Sequence, residues 1–252
     1  LKRYLVIVCS VFVMFDSYGC CYDSSQDRIE VTLFSGDKGG NSERLWSQTK
    51  LLFGLGLGAA GALYLMPESV TNWDKSELGK GNMARNWRDN VKQGPVWDND
   101  HWAINYIGHP YFGGVYYQVA RKSGYDQFNS FLYSALMSTF YWEYGIEAFA
   151  EVPSIQDLIV TPIGGWLYGE WAHHQELKII EGGGKVFGSA LAGNISLFFL
   201  DPVDSIAKGM NAISGSEIVN ASVYFRTSSH VRMPAAVRDD DKFLGAVIHF
   251  RY

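Results

Sequence analysis

A mainly α-helical protein, an antiparallel helical hairpin or bundle with a short C-terminal antiparallel strand pair, is predicted by three observations. Residues 102–121, 127–150 and 154–175 form helical segments broken only at Ser123-Gly124 and Val152-Pro153, and connections that short make antiparallel neighbours. Two uncharged apolar runs, 51–66 and 186–200, have the length of further helices. Strand alternation comes late, at Ala221, Val223 and Phe225 and again at Leu244, Ala246, Ile248, Phe250 and Tyr252.

Residues 1–19 read as an export signal. Lys2 and Arg3 precede an apolar stretch from Tyr4 to Phe15 that is too short to span a bilayer. Ser17, Tyr18 and Gly19 place cleavage before Cys20, which is also where a lipobox puts its acylated cysteine, although Ser17 and Tyr18 depart from that box. With Cys9 inside the signal, the neighbours Cys20 and Cys21 cannot make a disulfide framework, so packing must supply stability. Residues 20–42 are a lead-in with one alternating run, 29–34.

The helical core domain covers 43–211. Its first helix starts near Ser42 and ends at Pro67, with Gly54, Gly56, Gly58 and Gly61 permitting close helix contact, although their alternate spacing also suits a strand. A polar connection running to Asp100 holds a short helix around 83–91. After the three central segments, Gly182, Gly183 and Gly184 form a hinge, and the run 186–200 stops at the turn Asp201-Pro202. Residues 212–252 hold the strand pair.

The net charge of -5, with no clustered basic surface, argues against nucleic acid as a partner. Aromatic residues reach 15% against only 19% charged, a loading that suits a membrane-facing protein or a sugar binder better than a cytosolic enzyme. Membrane or lipid is therefore the expected partner. The cell envelope, periplasm or outer membrane after export, is the expected location.

The candidate site surrounds Pro153-Ser-Ile-Gln-Asp157. Glu143, Glu147 and Glu151 recur every four residues, which stacks them on one helix face among Tyr141, Trp142, Ile146 and Phe149. Like charges so placed repel unless a cation, a metal or a proton lies between them. Ser154 to Asp157 has the form of a helix cap. As a nucleophile Ser154 would need a base such as His109, but no nucleophile elbow surrounds it. Ser154 thus reads as a helix starter that sets Asp157 beside His109, in a buried polar network of His109, Glu143, Glu147, Glu151, Ser154 and Asp157.

A single divalent metal, zinc, manganese or iron, has a weaker ligand set in His101, His109, Glu170 and His173. His101 lies about two helical turns before His109. Glu170-Trp-Ala-His173 is the half-motif of di-iron bundles, without a second copy. Against this, His173 and His174 also suit the surface of a helix end.

The run His101-Trp-Ala-Ile-Asn-Tyr-Ile-Gly-His109-Pro-Tyr-Phe-Gly113, with Ser138 to Glu147 and Glu151 to Pro162, resembles an uncharacterised family of Gram-negative envelope proteins, a domain of unknown function, over roughly residues 65–175. A broader pattern is similar to small VanZ-like membrane proteins. That resemblance matches His109 to the first element, Glu143 or Glu147 to the second, Ser154 and Asp157 to the third, and Gly164 or Gly165 to the last. Thr161-Pro162 stands where those proteins have an Asn.

The expected function is an exported, membrane-associated envelope protein with a buried His/Glu/Ser/Asp network. The alternatives are a metal-assisted hydrolase acting on envelope lipid or cell-wall substrate, and an outer-membrane barrel-associated scaffold suggested by the terminal Tyr252.

Overall fold

The computed structural model describes residues 29–32, 40–71, 73, 75–78, 82–221 and 247–250. The expectations placed on residues 1–19 and on Cys20 lie outside the described residues. So does most of the C-terminal strand pair, which is not shown. Val247–Phe250 (β2) is recorded instead in an antiparallel ladder with Ile29–Thr32 (β1).

The described core is mainly helical. α1 spans Ser42–Leu65, followed by the short turns α2, Glu68–Thr71, and α3, Lys75–Leu78, and by α4, Met83–Gln93. The centre consists of α5, His109–Arg121, α6, Gln127–Leu136, and α7, Ile155–Glu181. α8, Ala190–Leu200, and α9, Pro202–Ser214, complete it. Among the described residues no helix is long and apolar enough to cross a membrane.

Two of the central segments are wound more loosely than an α-helix. Ile104–Gly108 is π-helical and runs directly into α5. Pro110 explains the widening, because it lacks the N–H that an α-helical turn would offer to the carbonyl of Tyr106. Met137–Ile146 is also π-helical and continues α6 before a 3-10 turn at Glu147–Phe149. There Gly145 lies against the carbonyl of Phe140, where a Cβ would approach that oxygen to 2.6 Å.

The tightest helix contact joins α5 to α7. A Cβ on Gly113 would come within 2.0 Å of the Thr161 carbonyl, and one on Gly165 within 2.3 Å of the Gly113 carbonyl carbon. The backbones therefore touch without intervening side chains. α6 packs beside both helices, and Ser134 Oγ donates to the Gly113 carbonyl at 2.8 Å. The main apolar cluster gathers Leu52 of α1, Val115, Tyr116 and Val119 of α5, Met137, and Val203 of α9.

The glycines of α1 do not behave as their spacing suggests. Gly54, Gly58 and Gly61 have nothing within 4 Å of an added Cβ, and only Gly56 meets a neighbour, Tyr141. The close contact lies on the central helices instead.

Candidate functional site

The site begins with a backbone crossing. Val96 N–H donates to the Pro153 carbonyl at 2.9 Å and Ile155 N–H to the Val96 carbonyl at 2.8 Å, which lays the loop after α4 along the start of α7. This places Asp98 over the helix cap. Ser154 Oγ donates to Asp98 Oδ2, Asn105 Nδ2 donates to Asp98 Oδ1 at 2.7 Å, and Gln156 Nε2 donates to the Asp98 carbonyl at 2.9 Å.

Ser154 caps α7. Its Oγ accepts from Asp157 N–H at 3.2 Å, while its own N–H donates to Glu143 Oε1 at 2.6 Å. The hydroxyl proton is directed to Asp98 and a lone pair to the helix, so the geometry is that of a cap.

Asp157 and His109 meet at 3.5 Å between Oδ2 and Nε2, and His109 Nδ1 lies 3.0 Å from Thr161 Oγ1. Burial pushes His109 down to about 4 against the opposing pull of Asp98, and burial together with Glu143 and Asp98 pushes Asp157 up to about 8. At neutral pH this is thus a neutral imidazole beside a protonated acid, not an ion pair. The assignment that fits has Nδ1–H donating to Thr161 and Nε2 facing the acid.

Glu143, Glu147 and Glu151 stay together although the segment carrying them is π-helical and then 3-10. Glu147 shares hydrogen bonds with both others, and Trp73 Nε1 donates to Glu151 Oε1 at 3.3 Å. Burial raises Glu143 and Glu151 to about 7, partly offset by their hydrogen bonds, while burial and the two flanking carboxyls hold Glu147 well above the carboxylate range. Protons shared among these acids supply the neutralisation that their spacing demands.

The sequence-predicted residues His109, Glu143, Glu147, Glu151, Ser154 and Asp157 therefore lie in one connected group. Asp98 and Asn105 were missed. Their signal was the dense Asp98-Asn-Asp100 run just before His101, but only the pairing of Val96 with Pro153 and Ile155 brings it to the site. Among the described residues, three buried acceptors in this group, Asn105 Oδ1, Glu147 Oε2 and Asp157 Oδ1, have no hydrogen-bond partner.

The four weaker metal candidates do not converge. His101 is exposed, with Nδ1 accepting from Ala103 N–H, while His109 is engaged as described. Glu170 accepts from Tyr117 Oη at 2.6 Å and from Arg121 Nε at 3.1 Å. Burial pushes His173, one turn along, down to about 4 against the pull of Glu170. Among the described residues, the carboxylates close enough together to share an ion are Glu176, Asp201 and Asp204. Lys122 Nζ is bonded to all three, at 2.7, 2.7 and 3.1 Å.

Raised carboxyls make stability depend on pH in a definite direction. The folded chain keeps protons that the unfolded chain releases above its ordinary value of 4.5 for Glu or 3.8 for Asp, so stability falls as pH rises from there toward 8. His109 and His173, held down from 6.5, act oppositely only between about 4 and 6.5. Between pH 6.5 and 8 the carboxyls act unopposed by these two histidines, and the Tm of the full chain is expected to fall by roughly 5 °C. Glu147→Gln, which mimics the protonated acid, should shrink that fall. Circular dichroism melts measure both, and a Tm that rises across this window would contradict the assignment.

A family model matches the part of the chain that carries most of this arrangement. Residues 94–203 match the model of DUF3943, a domain of unknown function. The DUF3943 match starts at Gly94, immediately before the Val96 crossing, and contains Asp98, His109 and the whole run from Glu143 to Thr161. It therefore starts and ends later than the stretch read from sequence. No curated protein and no solved structure matches the chain.

Proposed function

We propose that this chain is an exported, membrane-associated envelope protein whose helical domain rests apolar helix faces on lipid while the carboxyl network clamps its helices from within. One observation carries the reading, an inverted distribution of polarity. Among the described residues, 22 polar or charged residues are buried against 15 hydrophobic ones, while 27 large hydrophobic residues stand exposed. In water that arrangement forfeits apolar burial and desolvates carboxyls. Against lipid both features are favourable, because ionisable groups then belong inside.

The exposed apolar surface includes an open groove of about 410 Å³ between α1 and the α6 continuation, lined by Phe53, Tyr133, Leu136, Met137, Phe140 and Tyr141. The signal-like start of the sequence supports export. With no described helix suited to crossing, the association proposed is along helix faces at the interface.

Density-gradient flotation of the full chain with phosphatidylcholine and phosphatidylglycerol vesicles tests this. The protein is expected to rise with the vesicles and to remain with them in high salt, since apolar contact dominates. A folded, monodisperse protein left at the bottom of the gradient would overturn the reading.

A further inference from the structure

After α7 the chain makes a reverse turn from Val186 to Ser189, closed by Ser189 N–H donating to the Val186 carbonyl at 2.9 Å and Val186 N–H to the Ser189 carbonyl at 3.2 Å. Its central residues, Phe187 and Gly188, have φ of 50° and 77°. Tight turns with two left-handed residues favour Asn-Gly, Asp-Gly or Gly-Gly, because a bulky side chain is strained at positive φ. Phe187 is the one non-glycine residue with positive φ among the described residues, and its ring is fully exposed. Strain spent to display an aromatic ring in water points to a function for that ring.

The ring begins a longer row. Leu191, Ile195, Phe198 and Phe199 follow at spacings that share one helical face of α8, and they are 71%, 51%, 43% and 60% exposed. The opposite face is fastened down, since a Cβ on Gly193 would lie 2.0 Å from the Gly184 carbonyl oxygen. From Gly182 to Leu200 the single charged residue is Lys185, exposed and two residues from Phe187. An apolar row with a cation at its entry and no acid along it complements an anionic headgroup layer over an acyl interior.

We propose that Phe187 and the Leu191, Ile195, Phe198 and Phe199 row form a wedge that enters the headgroup–acyl boundary of a bilayer, with Lys185 at the lipid phosphates. The proposal rests on the membrane reading above and names the element that makes the contact. α8 then lies nearly parallel to the membrane plane, with its Gly193 face toward the protein.

Phe187→Asn is the informative variant, because Asn tolerates the left-handed turn and removes the ring without threatening the fold. The full-length variant is expected to melt at or above the wild-type temperature and to bind vesicles of equal parts phosphatidylcholine and phosphatidylglycerol roughly tenfold more weakly. Lys185→Glu should weaken binding to those vesicles more than to pure phosphatidylcholine. Wild-type binding with an undiminished Phe187→Asn variant would overturn the wedge and leave the membrane reading standing. A wild-type chain that binds no vesicles would overturn both. Self-association that is lost in Phe187→Asn, without any vesicle binding, would assign the row to a protein contact and also sink the wedge.

Discussion

Lys122→Met is expected to cost about 3–5 kcal/mol and to lower the Tm of the full chain by roughly 10 °C. Lys122 follows the end of α5, and its ammonium, 2% exposed, ties that end to Glu176 of α7 and to Asp201 and Asp204 at the start of α9. Arg44 Nη2 and Lys208 Nζ also reach Asp204, at 3.1 and 2.9 Å, so among the described residues three cations face these three acids. Burial raises Glu176, and Lys122 opposes that rise. Removing the ammonium leaves carboxylate oxygens within 4.8 Å of one another around a vacated centre. Three oxygen ligands suit a hard divalent cation. Millimolar calcium should therefore restore part of the lost Tm in the variant and leave the wild type unchanged, as thermal melts with calcium and with chelator will measure. A variant as stable as wild type would show that the triad contributes little.

Gly165→Val carries the second large effect. The new Cβ meets the Gly113 backbone at 2.3 to 2.8 Å, which no side-chain rotation can relieve. α5 and α7 must move apart, and the separation would also loosen His109 from Thr161 and Asp157. A loss of about 3 kcal/mol is expected, with the pH dependence of the Tm weakened in parallel because the acids gain water. Gly58→Ala is the contrast. No atom approaches within 4 Å, so the same kind of substitution in the interior of α1 should stabilise by about 0.5–1 kcal/mol.

These contrasts explain which features could be read in advance. Ser154 and Asp157 were legible because a cap is local, and the breaks at Ser123-Gly124 and Pro153 were legible for the same reason. The grouping of Glu143, Glu147 and Glu151 was also legible, though for the wrong geometry, since a four-residue repeat presumes an α-helix that Pro110 and Gly145 show the central segments do not keep throughout. Asp98 was not legible, because it enters the site across 56 residues of sequence to reach Ser154. The Lys122 triad was hidden similarly, with Asp201-Pro202 reading as a turn and nothing local linking it to the end of α5. Glycine spacing on α1 misled because small residues permit an approach without requiring a partner.

The account rests on carboxyls that stay protonated near neutral pH inside a domain that turns its apolar faces outward. A carbon-13 NMR titration of Asp and Glu carboxyls, with signals assigned through single Gln and Asn variants, tests that most directly. Glu143 and Glu151 are expected to titrate at about 7 and Asp157 at about 8. Titration of all three below roughly pH 5, where exposed carboxyls ionise, would contradict it.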